Sequence, residues 1–230
     1  MQNTRVVSPV AYIQSDFTEK FGIPRQSGRA PSLETRVVLT PPYNTEDALR
    51  EIEGFSHLWL LFDFSLVQDS EFCATVRPPR LGGNRRVGVF ASRSPFRPNR
   101  IGLSCVKLLR VERAPTLCLV VAGADLLNGT PVLDIKPYLP FTDCIPDAVG
   151  GYADTQKDYK LQVFFPENLL ALLPEEKRQG LIECLADDPR PSYQDDSQRV
   201  YGMAFGGFEI KFRVENDVLT VLEVTKNRLE

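Results

Sequence analysis

Between Arg77 and Arg100 the chain reads RPPRLGGNRRVGVFASRSPFRPNR, with arginines at 77, 80, 85, 86, 93, 97 and 100 and neither a lysine nor an acidic residue. Planar guanidinium forks grip carboxylates and phosphates by two points at once, which an ammonium cannot do. The whole chain carries a formal charge of −3, so this cationic stretch is a local feature. Pro, Gly and Asn around the arginines favour rigid, non-helical loops. The chemistry on offer is capture of an anion: a phosphate, a carboxylate or an RNA backbone. A solvated basic face has the same composition. Phe90 and Phe96 interleave with the arginines, a pattern that suits stacking on a base or local packing.

Other candidate groups are fewer. His57 is the single histidine, so a Ser-His-Asp triad would have to use it; its place at the start of an apolar run suits a strand-end or contact residue. Cysteines stand at 73, 105, 118, 144 and 184 with no CxxC pair, a poor basis for a disulfide scaffold or a zinc site, and a reducing cytosol is expected. Asp125 to Tyr138 reads DLLNGTPVLDIKPY. Asn128-Gly129 predicts a type I′ hairpin turn, with a local Asp134–Lys136 charge pattern. Alternatively, backbone N–H groups around Gly129-Thr130 and a nearby carboxylate receive a polar ligand. The segment DDPRPSY (187–193) reads as a rigid turn, although an exposed Arg190 beside Tyr193 would suit RNA contact. Neither a GxGxxG turn nor a P-loop is present, so a nucleotide cofactor would need another fold.

The elements that must position these residues are mostly strands. Val10 to Ile13, Thr35 to Leu39, Arg86 to Ala91, Leu103 to Val111, Leu117 to Gly123 and Val132 to Ile135 are β-prone, and HLWLLFDF (57–64) predicts a strand buried on both sides. TEDALREI (45–52) predicts a helix capped by Asn44 or Thr45. These spacings describe a barrel or sandwich. From about Pro146 to Lys157 the composition suggests a linker. Beyond it, helices over Pro166–Leu173 and Pro174–Ala186 precede two strands, Phe208–Val214 and Val218–Val224, joined as a hairpin. Two domains are expected: a mainly β unit over 1–150 at +2, and a smaller α+β unit over 151–230 at −5. No signal peptide or membrane-spanning run is evident.

Five ordered segments then carry a resemblance: PRQSG (24–28), SHLW (56–59), VRPPRLGGN (76–84), VGVFASRSPFRPNRIGLS (87–104) and NGTPVLDIKPYLPF (128–141). Together they resemble the TsaA/YaeB family, the tRNA N6-methyltransferases also called TrmO, and DPRPSY resembles the C-terminal domain of its bacterial members. The resemblance implies a single-sheet β-barrel that uses S-adenosyl-L-methionine to methylate N6 of threonylcarbamoyladenosine at tRNA position 37. It also implies a homodimer with the cofactor near the subunit interface, in a cytoplasmic protein needing neither metal nor membrane. By motif, the cofactor-binding residues are Pro24, Arg25, Gln26, His57, Leu58, Arg93, Leu103, and the turn Asp125, Leu126, Leu127, Asn128, Gly129 and Thr130. The family often has Asp-Gly-Thr-Pro where this chain has Asn128-Gly129-Thr130-Pro131; the turn survives, a carboxylate role at 128 does not. One of Arg25, Arg86, Arg93 and Arg97 is expected to bind the threonine carboxylate or polarise the carbamoyl oxygen, with Arg97 and Asp134 as catalytic candidates and Asp125 as a second proton acceptor. Arg77, Arg80, Arg85, Arg86 and Arg190 are expected on tRNA. A non-catalytic RNA-binding barrel and a hydrolase built on His57 are the alternatives.

Overall fold

The computed structural model describes residues 5–68, 71–78, 85–156, 158–191 and 196–227. Six strands close into an antiparallel barrel: β1 (Ala11–Gln14), β2 (Glu34–Leu39), β3 (His57–Asp63), β6 (Ile101–Glu112), β7 (Cys118–Ala122) and β8 (Pro131–Pro137). Their order around the barrel is β1-β2-β7-β6-β3-β8. Closure removes the exposed strand edges that an open sheet would present. A two-stranded ribbon, β4 (Thr75–Val76) with β5 (Val87–Gly88), projects from the arginine segment. Alternate residues fill the barrel, among them Ile13, Val37, Leu58, Leu60, Phe62, Val106, Leu119, Val121 and Val132. Gly102 is needed opposite Phe62, because a β-carbon there would run into the phenyl ring. A register shift between Leu108 and Arg110 bends β6, allowing one long strand to pair with both β3 and β7.

β3 is not buried on both sides. Leu58, Leu60 and Phe62 point inward, whereas His57, Trp59, Leu61 and Asp63 are half-exposed on the outer face. A barrel has only one inside, so an apolar residue on an outward position has no core of its own. The helix expected over 45–52 is instead two 3-10 turns, Glu46–Leu49 and Ile52–Gly54, separated by Glu51 at φ 69°. Thr45 caps the first, its side chain accepting from the Ala48 N–H. With Leu49 as the one buried anchor, a continuous helix would gain too little to repay its nucleation.

The second unit is a four-stranded sheet ordered β10 (Tyr201–Phe205), β11 (Phe208–Glu215), β12 (Val218–Lys226) and β9 (Gln162–Phe164). The expected hairpin joins β11 to β12 through Asn216-Asp217, both at positive φ, the two-residue turn that suits the strand twist. After a short helix α1 (Pro140–Asp143) that follows β8, helices α2 (Glu167–Leu170) and α3 (Glu175–Ala186) cover the sheet. Its core also takes in Phe17, Ala30 and Leu33 from the segment between β1 and β2. That segment is docked further by Lys177 on Asp16 and by the Ser32 N–H and hydroxyl on Glu183, both at 2.8 Å. Gly180 lets α3 approach closely, since a β-carbon there would sit 3.2 Å from the Leu33 Cα. The 24–29 loop is thereby held between barrel and second unit.

Candidate active site

A cleft of about 1400 Å³ is lined by Arg25, Gln26, Arg29, Arg77, Arg86, Arg93, Arg97 and Arg100, with Val67, Phe72, Val76 and Phe96 between them. Tyr152 and Ala153 close one side, so the segment expected to be a linker packs on the arginine loop, the Tyr152 hydroxyl donating to the Ala91 carbonyl at 2.9 Å. The arginines differ in what their forks do. Arg97 Nη1 donates to the Ser92 and Ser94 carbonyls at 3.1 and 3.5 Å, bracing its own loop. Arg100 takes a left-handed φ of 46° and reaches the Val67 carbonyl at 2.6 Å, tying the loop to the turn after β3. Arg86 Nε holds the ribbon through the Thr75 hydroxyl at 2.8 Å. Arg93 crosses the cleft: its Nη1 donates to Gln26 Oε1 at 2.7 Å.

Beneath that contact lies Asp125. The Ser104 hydroxyl donates to its Oδ1 at 2.5 Å. Burial raises the Asp125 carboxyl from its ordinary value; the Ser104 hydroxyl, the Arg93 charge and the Ser27 amide pull it part of the way back. The 24–28 loop rests on this segment through two glycines at positive φ, Gly28 (77°) and Gly123 (74°), the Gly28 N–H donating to the Gly123 carbonyl at 2.8 Å. Asp125 also carries a pH signature. A raised folded-state value means that the native chain holds this proton more tightly than the unfolded chain. The resulting stability is complete below about pH 3.9 and is lost as pH rises through the raised value. Asp125→Asn, which cannot ionise, should gain on the wild type between pH 4 and pH 7, read as the difference in urea midpoints. An unchanged difference would contradict a buried, proton-retaining carboxyl.

Family models match both units: the tRNA-methyltransferase O N-terminal domain over residues 12–144 and the TrmO C-terminal domain over 158–227. The chain belongs to the TrmO family. A tRNA (adenine(37)-N6)-methyltransferase of Escherichia coli (strain K12) is 43% identical over 214 residues, 89% of this chain and 91% of the relative. The Eikenella corrodens protein of the same name is 49% identical over 169 residues, 73% of this chain and 96% of its own. The crystal structure of TrmO from Pseudomonas aeruginosa superposes with a TM-score of 0.78 at 36% identity, covering 97% of this chain and 100% of that one.

Within this TrmO frame the expected residues fall into three groups. Arg25, Gln26, Arg77, Arg86, Arg93 and Arg97 line the cleft, while Asp125 lies outside its lining, within reach of the Arg93 charge and the Ser27 amide, and Pro24 is buried beside Arg25. His57, Leu58, Leu103 and Asp134 are elsewhere in the same chain. His57 pairs through Nδ1 with the Ser56 hydroxyl at 2.9 Å, Leu58 is buried in the barrel, and Leu103 is 50% exposed on the outer face. Asp134 also faces outward, its Oδ2 2.8 Å from Lys136 Nζ. Leu126, Leu127, Asn128, Gly129 and Thr130 form a structural turn between β7 and β8. Those strands are not neighbours, and only Gly129 has a positive φ (80°), so this is the type II pattern and not the type I′ hairpin expected. Asn128 Oδ1 accepts from the Ser15 N–H at 3.2 Å, and Leu126 fills the barrel core.

For the tRNA candidates, Arg85 is exposed, Arg80 lies outside the described residues, and Arg190 is only 8% exposed. Its fork is taken by Asp188, at 2.9 and 3.1 Å. Sequence reasoning missed Arg29, Tyr152, Ser104 and Asp187. Tyr152 had a signal, a lone aromatic in a Gly/Ala/Asp stretch. Asp187 had none, because its partners are more than 150 residues away. Among the described residues no His/Cys/Asp/Glu group is arranged to hold a metal ion, and no helix is long and apolar enough to cross a membrane.

Proposed function

We propose that this chain is an S-adenosyl-L-methionine-dependent methyltransferase acting in the cytoplasm on N6 of threonylcarbamoyladenosine at position 37 of tRNA. In this reading residues 1–150 bind cofactor and modified base, and 151–230 form the unit that braces them. The observation carrying it is the Arg93–Gln26 contact spanning a cleft walled by arginines, with a buried carboxyl beneath. The relatives' names give adenine 37 of tRNA and the adenine N6; the threonylcarbamoyl group is what the family resemblance implies, and the arginines supply the cation its carboxylate needs.

The residues present fit the cofactor. Its adenine and methionine stem need apolar surface, supplied by Val67, Val76 and Phe96; its carboxylate needs a cation, and its positive centre needs acceptors such as the Gln26 oxygen. Bound there, the cofactor supplies an electrophilic methyl group on a sulfonium. The accepting nitrogen is urea-like and poorly basic, so the chain must position it in line and favour its charge development. Arg93, whose fork reaches Gln26, is placed to polarise a carbamoyl oxygen or grip a threonine carboxylate. Arg97 and Arg100 hold the loop that carries it. Arg77 and Arg86, at the ribbon, suit phosphates.

The homodimer belongs to the same proposal. The outer face of β3 and β6 begins where the arginine cleft ends, and it exposes Ile101 (46%) and Leu103 (50%) beside Trp59 and Leu61. Pairing two such faces would cover this apolar surface and bring the partner's copy of the outer strands toward the cleft. Leu103→Glu should shift the chain from dimer to monomer in sedimentation; a monomeric wild type would remove this part.

The direct test incubates the protein with threonylcarbamoyl-modified tRNA and labelled cofactor, followed by nucleoside mass analysis. A methylated product is expected with modified tRNA and not with its unmodified counterpart. If the chain binds tRNA but never cofactor, the RNA-binding barrel is the better description.

A further inference from the structure

We infer that Asp187, at the C-terminal end of α3 in the second unit, is a positioning residue for the cofactor loop of the barrel. This rests on the function proposed above, which places Arg25 and Gln26 at the cofactor.

Asp187 is 2% exposed, and its two oxygens serve different parts of one loop. Oδ1 takes the Arg29 Nε at 2.6 Å, and Oδ2 accepts the Arg25 backbone N–H at 3.3 Å. The carboxylate therefore clamps the loop at both ends of Gln26-Ser27-Gly28. Its own position is set by α3, because the Asp187 N–H donates to the Glu183 and Cys184 carbonyls at 3.1 and 3.2 Å. The next residues complete the clamp. Asp188 adopts a left-handed φ of 53°, and the Arg190 fork holds it there. This turn aims the Arg190 carbonyl at Arg25 Nη2, which donates to it at 2.5 Å. Arg190 thus contributes through its backbone, with its charge neutralised inside the protein.

Asp187 borders the same cleft at the end of α3, and from it the contacts run to Arg25 and Arg29, then Gln26, then Arg93. From the barrel side the loop 24–28 is held by the Gly28–Gly123 hydrogen bond, the Ser27 amide on Asp125 and Arg93 on Gln26, and from the second unit by Asp187 and the Arg190 carbonyl, so its geometry depends on both units. A charged hydrogen-bonding group satisfied from two directions in a water-poor site resists displacement more than a surface ion pair would. The second unit on this account helps build the cofactor site, beyond any contact it makes with RNA.

The test uses the full chain with Asp187→Asn, which keeps the shape and one acceptor but loses the charge, and Arg29→Gln, which removes the partner from the more exposed side. For both, KM for S-adenosyl-L-methionine should rise about tenfold or more while kcat with saturating cofactor falls less than about threefold. The double variant should be little worse than either single one. Amide exchange at Arg25–Gly28 should quicken roughly tenfold with α3 unchanged. A fall in kcat with KM intact, or unchanged exchange in the loop, would overturn the inference and leave the proposed function standing. A wild-type chain that binds no cofactor would sink that function first, and the purpose of the clamp with it.

Discussion

Arg93→Ala is expected to lower kcat/KM for methylation of threonylcarbamoyl-modified tRNA by about 10²–10³-fold, the range for deleting one preorganised donor at a developing charge. Of the arginines around the cleft, Arg97 and Arg86 spend their hydrogen bonds on their own loop and ribbon, whereas Arg93 reaches across to Gln26. Removing it takes away a positive charge that acts on the Asp125 carboxyl and the donor that fixes the Gln26 amide. Arg93→Lys should recover little, because a point charge cannot replace a planar fork that holds Gln26 and a ligand together. Arg97→Ala should instead loosen the SRSPF loop, weakening turnover through mispositioning. Steady-state kinetics with modified and unmodified tRNA separate the two cases. If Arg93→Ala and Arg97→Ala both leave rate and substrate preference intact, the arginines do not read the modification.

Gly123→Val is the second large effect, destabilising the fold by roughly 2–5 kcal/mol and removing most cofactor binding with it. Gly123 sits at φ 74°, which costs an L-residue about 1–2 kcal/mol, and a β-branched one more. A β-carbon there would also lie 3.3 Å from the Cα and N of Gly28, and further side-chain atoms would push the loop off the barrel at an added cost of about 1–3 kcal/mol. Both glycines also share a backbone hydrogen bond at 2.8 Å. Urea unfolding and calorimetric titration with cofactor measure the two consequences separately. Gly129→Ala makes the control: φ there is also positive at 80°, but nothing lies within 4 Å of the added carbon. It should show the backbone cost alone, and full stability of Gly123→Val would refute the close-approach account.

Much of the fold was legible because strand periodicity is a local property. The outlines of β2, β6, β7, β8, β11 and β12, and of α3, follow from residues within a few positions of one another. The failures share a cause. HLWLLFDF is continuously apolar, and only barrel closure says that one of its faces is outside. TEDALREI has helix-forming residues but a single buried anchor, which no pattern within the segment reveals. Asn128-Gly129 is a good turn in any context; whether it joins paired strands depends on the barrel order.

The candidate site divides along the same line. By itself the sequence determined that the arginines cluster in rigid loops and that the motifs are those of one family. It had to, since residue type, spacing and charge are written in chain order. It puts Asp134 ahead of Asp125 as proton acceptor, whereas the fold brings Asp125, not Asp134, within reach of Arg93. Only the tertiary structure decided what each fork touches: Arg97 turned on its own loop, Arg93 sent to Gln26, Arg190 folded inward on Asp188. It also decided that Asp187, far along the chain, clamps the loop at Arg25 and Arg29. Hydrogen bonds are directional over about 3 Å, and which donor comes within that reach of which acceptor is set by how the barrel and the second unit pack.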